Sequence, residues 1–205
     1  MAFHPQDVAS FLLTGLAKAI TEKGHATLAL SGGSSPLPIF AILAKTDFAW
    51  DKVTITLVDE RNVDPTHPDS NQKLVTDHVL AGKPSQATFM PLYNNQPAYH
   101  EMTSCDAMLL GMGTDGHFAS LFPDMIGSSA FDVTQPPAII TTAPQGSPRH
   151  PRISMNLSLI KASSHVCLIL PNAEKQDLFE SAKTNPELPV HYLNHALGDA
   201  LTLFS

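Results

Sequence analysis

Apolar positions along this chain change period several times, and each change marks an element. Over 5–23 (PQDVASFLLTGLAKAITEK) they recur at helical spacing, and Gly24 supplies a C-terminal stop. ATLAL at 26–30 is a short apolar run that enters SGGSS, the pattern of a strand running into a glycine turn. Residues 36–45 (PLPIFAILAK) predict a helix with proline near its start. VTITLV at 53–58 is a β-branched strand ending at Asp59-Glu60-Arg61. A helix is expected over 71–80, buried strands over 107–111 (AMLLG) and 165–170 (HVCLIL), and a helix over 173–183. Strands alternating with helices predict a parallel sheet covered on both faces. The expected architecture is a three-layer α/β/α sandwich with a mostly parallel, Rossmann-like sheet, in a single domain over 1–205. There is no internal repeat. The longest irregular stretch, 123–151, is rich in Pro, Ser, Gly and Thr, and so long a loop is more often functional or mobile than ornamental.

The polar residues gather where the strands stop. SGGSS, DER and GMGTDGH each follow an apolar strand directly. In an open parallel sheet those positions are the carboxyl ends, where ligands bind in a crevice. Three clusters on one edge locate the function there.

Composition narrows the partners. A length of 205 residues, 43% hydrophobic and 15% charged, suits a globular chain with a large core. No apolar run approaches a membrane span, and MAFHPQDVASFLL lacks the basic start and apolar core of a signal peptide, so a cytoplasmic protein is expected. The two cysteines, Cys105 and Cys167, lie inside apolar runs and read as buried thiols rather than a disulfide. A net charge of −7 argues against nucleic acid, which requires clustered cations. It leaves room for a small anion, because a few local cations prevail over a screened global field. His191 and His195 in HYLNH share one helical face, but no third ligand is evident, and the expectation is surface histidines near a helix end with no metal.

Each cluster has a bland and a chemical reading. Ser31, Gly32, Gly33 and Ser34 form either a simple strand-to-helix turn or an anion cradle of amide N–H groups and hydroxyls. Without Gly-Lys-Ser/Thr it is not a nucleoside-triphosphate loop. Asp59-Glu60-Arg61, with Asp69-Ser70-Asn71 beyond, is either a solvated loop leading to a helix cap at Asp69 or Ser70, or a place where Arg61 holds an anion or a developing oxyanion. GMGTDGH has dinucleotide-loop spacing through Gly113, yet no strand ending in an acidic residue follows about twenty positions later. The alternatives are His117 as general base, with Asp115 orienting its ring or holding a sugar hydroxyl, or His117 as an ordinary helix-start residue. Arg149 and Arg152 end the long loop, and Arg152 leads into an alternating run that suggests an edge strand with its cation at the mouth of the site. Lys175 follows the 165–170 strand as a further cation.

Taken together, SGGSSP (31–36), VDERNV with DSN (58–63 and 69–71), LGMGTDGHFASLFP (110–123) and PRISMNL (151–157) resemble the glucosamine-6-phosphate isomerase/6-phosphogluconolactonase family, in order and over about residues 8–200. Deaminase relatives carry a glutamate segment after the glycines, whereas this chain reads Ser120-Leu121-Phe122, and Arg152 matches an arginine of the lactonase branch. The resemblance implies that Ser31–Ser34, Asp59, Gly113, Arg61, Arg152 and Lys175 bind a phosphosugar, with His117 as base and Asp115 supporting it. Asn172 stands where glycine is expected, a departure that asparagine tolerates through its access to the left-handed conformation. The family's opening strand before the first helix looks absent or very short.

The implied reaction is hydrolysis of a phosphosugar lactone, with no cofactor and no metal, by a monomer or homodimer that binds neither nucleic acid nor membrane. Three alternatives remain: an amino-sugar phosphate isomerase/deaminase, a non-catalytic sugar-phosphate sensor, and a nicotinamide-dependent dehydrogenase.

Overall fold

Alternation within the short strands sorts the core into two halves. In the computed structural model, which describes residues 3–92 and 101–205, Met108 and Leu110 face one apolar cluster while Ala107 and Leu109 face the other. Val166 and Leu168 divide in the same way from Cys167 and Ile169. A strand buried on both faces must be apolar throughout, which is why AMLL and VCLI show no polar alternation.

The central sheet has six strands, β1 (Ala26–Leu30), β2 (Val53–Leu57), β4 (Thr88–Met90), β5 (Ala107–Leu110), β8 (Val166–Ile169) and β9 (Leu201–Phe204), in the order β4-β2-β1-β5-β8-β9. Every neighbouring pair is parallel. Helices α1 (Pro5–Lys23) and α2 (Leu37–Leu43) and the short α3 (Asn71–Val75) supply the cluster on one face. The other face is covered by α4 (Leu157–Ala162), α5 (Ala173–Ala182) and α6 (Pro189–Leu197). The three-layer sandwich expected from the sequence is present. Strand order runs outward in opposite directions from the β1–β5 pair, and such a reversal opens a crevice at the carboxyl ends.

Several local expectations hold closely. Helix α1 ends at Gly24, whose φ of 83° is the left-handed stop that glycine adopts freely. The helix expected over 71–80 is α only to Val75 and continues to Leu80 as a π turn. Other expectations require correction. The run after Arg152 is not an edge: β7 (His150–Met155) is the middle strand of a second, antiparallel sheet, between β3 (Asp59–Arg61) and β6 (Ile139–Gln145). The irregular stretch of 123–151 therefore contains one whole strand and opens another. Asn172 is extended, at φ −143°, and not left-handed; its side chain caps α5 by accepting from Lys175 N. No strand precedes α1 among the described residues, and β9 forms the sheet edge beside β8. Cys105 and Cys167 are free and buried, and burial pushes the Cys105 thiol up to about 12. Among the described residues no helix is long and apolar enough to cross a membrane.

Candidate active site

The tips of β1 and β5 are tied before any ligand is considered. Ser31 N donates to Leu109 O at 3.1 Å, and Gly111 N donates back to Ser31 Oγ at 3.3 Å. Beyond this tie the two glycine segments diverge and leave a cavity of about 250 Å³. Its lining includes Ser31–Ser35, Asp59, Arg61, Gly113, His117, Arg152 and Lys175. All three polar clusters of the sequence thus meet in one place.

The GMGTDGH segment opens no helix. Gly113 N donates to His117 O at 2.8 Å and Gly116 N to Gly113 O at 3.2 Å, which close a tight turn with Gly116 at φ 79°. Isolated bridges Met112–Phe118 and Phe118–Leu121 carry the chain onward. Without a helix at the third glycine, the pyrophosphate cradle of a dinucleotide fold is missing, and His117 is not a helix-start residue.

What the turn does is bring Asp115 under His117. Asp115 Oδ1 pairs with His117 Nδ1 at 2.5 Å and accepts from His117 N at 3.2 Å. A carboxylate on Nδ1 fixes that nitrogen as the protonated one and leaves the Nε2 lone pair free. Burial pushes the Asp115 carboxyl up, but the hydrogen bond and charge of His117 outweigh it and hold the group below the usual carboxylate range. Phe122 packs against the imidazole, ring centroids 4.5 Å apart. Gly113 has no room for a side chain: a Cβ there would lie 2.2 Å from His117 Nδ1 and Cε1.

Opposite the dyad the antiparallel sheet supplies cations. Arg61 and Arg152 are register partners across β3 and β7. Like charges directly opposite one another repel, so the pair calls for an anion between or above it. Arg152 is 4% exposed, held by its guanidinium donating to Gln145 O and Pro148 O, with Phe122 5.9 Å beneath. It lies beneath the Gly146–Pro148 turn rather than at an open mouth. Burial and the nearby Arg61 pull its pKa down, yet an arginine remains charged. Arg61 donates from Nη1 to Asp69 O at 2.6 Å, while its buried Nε has no partner among the described residues. Lys175 reaches Ser35 Oγ at 3.4 Å, and burial lowers its ammonium from the ordinary lysine range.

The acidic members of the cluster are structural as well as polar. Asp59 is buried, not solvated: it accepts from Ser120 Oγ at 2.5 Å, and its backbone carbonyl accepts from Asn71 Nδ2 at 2.9 Å. Glu60, 1% exposed, accepts from Arg61 N, Asn71 N, Gln72 N and Ser70 Oγ and so caps α3 together with Ser70. Burial raises its pKa despite these donors. The sequence reading overlooked Glu60 in this role, and it overlooked Asn71, Phe122, Gly146 and Ser147 as cavity lining. Asn71 lay in the DSN motif and could have been found there; its amide packs so closely on Gly32 that a Cβ at that glycine would fall 1.8 Å from Asn71 Oδ1. Gly146 and Ser147 sit in a segment with no local signal. His191 and His195 stack on α6 with centroids 4.1 Å apart, away from the cavity lining.

Comparison with known proteins places this arrangement. The family model for glucosamine-6-phosphate isomerases/6-phosphogluconolactonase matches residues 4–202. The chain is 36% identical over 207 aligned residues to a 6-phosphogluconolactonase of Neisseria meningitidis, covering 93% of this chain and 89% of that one. It is 33% identical to the Rhizobium meliloti 6-phosphogluconolactonase over 92% of this chain and 88% of the relative. A crystal structure from Neisseria gonorrhoeae superposes with TM-score 0.86 at 34% identity, covering 98% of this chain and 93% of that one. A 6-phosphogluconolactonase structure from Shewanella baltica gives 0.82 at 28% identity, over 98% and 91%.

Proposed function

The chain belongs to the glucosamine-6-phosphate isomerase/6-phosphogluconolactonase family, and on that basis we propose that it hydrolyses 6-phospho-D-glucono-1,5-lactone to 6-phospho-D-gluconate, with His117 as the general base. The observation that carries this reading is His117, paired through Nδ1 with Asp115 just outside the lining, facing the same cavity as two opposed arginines. A base and an anion site are the two things a phosphorylated ester substrate requires.

In this mechanism Arg61, Arg152, Lys175 and the Ser31–Ser34 turn hold the phosphosugar. Phosphate offsets the repulsion between the two guanidinium groups, and Arg61 Nε gains the acceptor it lacks. His117 Nε2 takes a proton from water, and the hydroxide adds to the lactone carbonyl carbon. The carbonyl oxygen becomes an oxyanion, which Arg61 or amide donors of the glycine turns stabilise. As the carbon–oxygen bond to the ring breaks, His117 returns the proton to the leaving ring oxygen. Asp115 keeps the ring in the tautomer that leaves Nε2 basic and stabilises the cation between the two steps. An ester carbonyl is electrophilic enough for this sequence without a cofactor.

The competing readings lose support at particular residues. An isomerase/deaminase needs the glutamate of a segment where this chain reads Ser120-Leu121-Phe122, none of which carries a carboxyl group. A dehydrogenase needs a dinucleotide cradle, and the cavity of about 250 Å³ is small for one. A sensor has no use for an aligned base.

The decisive assay is acid release from freshly prepared 6-phosphogluconolactone, with and without protein. Enzymatic release above the spontaneous background is expected. Release at the background rate, or ammonia from glucosamine 6-phosphate instead, would overturn the proposal.

A further inference from the structure

A second histidine–carboxylate cluster adjoins the arginine pair through Asp69, whose carbonyl accepts from Arg61 Nη1. His67 and Asp69 come from the turn between β3 and α3, and His150 opens β7. Asp69 Oδ2 is 2.8 Å from His150 Nε2 and 3.7 Å from His67 Nδ1, and the three candidate donor atoms all fall within 4.8 Å of one another. The two imidazole rings stand nearly perpendicular, at 79°, with centroids 5.5 Å apart. Unlike His117, these residues line no part of the substrate cavity.

From this geometry we infer that His67, Asp69 and His150 form a binding site for a divalent transition-metal ion of the zinc class. Two imidazoles and one carboxylate are borderline ligands that suit zinc, nickel or copper, whereas magnesium and calcium take oxygen donors. Donors around a tetrahedral zinc at roughly 2.0–2.2 Å are about 3.3–3.6 Å from each other. The His67–Asp69 spacing is already near that value, and the His150–Asp69 contact must open by less than about 1 Å. The two ring nitrogens, within 4.8 Å of each other, close by up to about 1.5 Å, and His67 Nδ1 gives up the hydrogen bond it accepts from Asp69 N. The side chains are 40%, 32% and 22% exposed, so they can make this adjustment, and a fourth position stays open to water.

The backbone carrying the ligands is set in advance. His67 N donates to Asp64 O, Ser70 N donates to His67 O, and Thr66 is bound through N and Oγ1 to Asp64 Oδ1. On the other side Gln145 and His150 are register partners of the β6–β7 hairpin. The Asp69 carboxylate already faces both rings from between them, through the same Oδ2 atom. An ion here clamps the 67–69 turn to the hairpin. Those two segments also hold the substrate arginines, since Asp69 O binds Arg61 Nη1 and the Gln145 and Pro148 carbonyls bind Arg152. The ion is a clamp behind the anion site, not a participant at the lactone, and the inference stands whether or not the hydrolysis reading does.

Titration of the untagged full chain with Co²⁺ tests it. Wild type should bind one ion with the visible absorption of low-coordinate cobalt, Zn²⁺ should displace that signal, and either metal should raise the melting temperature. His67→Ala and His150→Ala should each weaken Co²⁺ binding by about tenfold or more and abolish the melting shift, with His150→Gln as the alternative if the alanine variant folds poorly. His117→Ala should bind Co²⁺ as wild type does. Absence of stoichiometric binding to wild type would overturn the site. So would a signal that survives in both His67→Ala and His150→Ala, or one lost in His117→Ala, because either places the ion elsewhere.

Discussion

The His117–Asp115 and His150–Asp69 pairs are built in opposite ways. His117 meets a carboxylate two residues away inside one glycine turn, through Nδ1. His150 meets a carboxylate 81 residues away across two elements, through Nε2. In the first pair, local chain geometry supplies the alignment, and the carboxylate leaves Nε2 unclaimed on a residue that lines the cavity. In the second, the alignment exists only because β7 packs beside β3. The nitrogen that the carboxylate occupies determines which nitrogen remains for a proton, water or metal. The contrast separates an imidazole aligned by its own loop from a clasp between segments.

Substitutions that break the contrast should differ widely in effect. His117→Ala is expected to lower kcat by about 10³- to 10⁴-fold, while the counterpart His150→Ala retains turnover; equal losses in steady-state assays would erase the distinction. Asp115→Asn should lower kcat by on the order of 10²-fold with little change in KM, because the amide no longer enforces the productive tautomer. A variant with wild-type kcat would remove Asp115 from the mechanism. Smaller again is Gly113→Ala. Its Cβ would need the space 2.2 Å from the imidazole, and displacing a base by about 1 Å costs up to roughly 10²-fold. A crystal structure of that variant with an unmoved ring and full activity would contradict the packing argument.

The smallest effect is in the pH dependence of stability. Both Asp115 and Asp69 have carboxyls held below their ordinary range in the folded chain. A depressed folded value means stability that is present above the unfolded pKa and disappears as pH falls through the folded value. The melting temperature of Asp69→Asn should therefore lie slightly below wild type at pH 7, and the difference should vanish in acid, below the ordinary carboxylate value of about 4. A gap that stays constant with pH would show that the carboxylate charge is not its source.

Much of the site could be read from the chain because its parts are local. Strands β1, β5 and β8 are short, largely apolar runs ending at glycine or polar residues, and α2 and α5 follow β1 and β8 at short range. GMGTDGH brings its own carboxylate to its own histidine. The second sheet was hidden for the opposite reason. Strand β6, IITTAPQ, alternates between half-buried and exposed positions and has the composition of a loop. The DER segment is too short to declare itself a strand, and the β6–β7 hairpin bends at a register irregularity. Glu60 illustrates the same limit: a glutamate beside an arginine reads as a solvated pair, and nothing nearby announces that it will cap a helix eleven residues later.

Short-range periodicity and turn chemistry thus settled the layers, the sheet edge where the polar clusters gather, and the closeness of Asp115 to His117, since each depends on residues within a few positions. The pairing of Arg61 with Arg152, the burial of Asp59 against Ser120, and the meeting of His67, Asp69 and His150 required packing of distant segments. Partners separated by tens of residues leave no periodic trace, and contact between them follows only once the hydrophobic layers have closed.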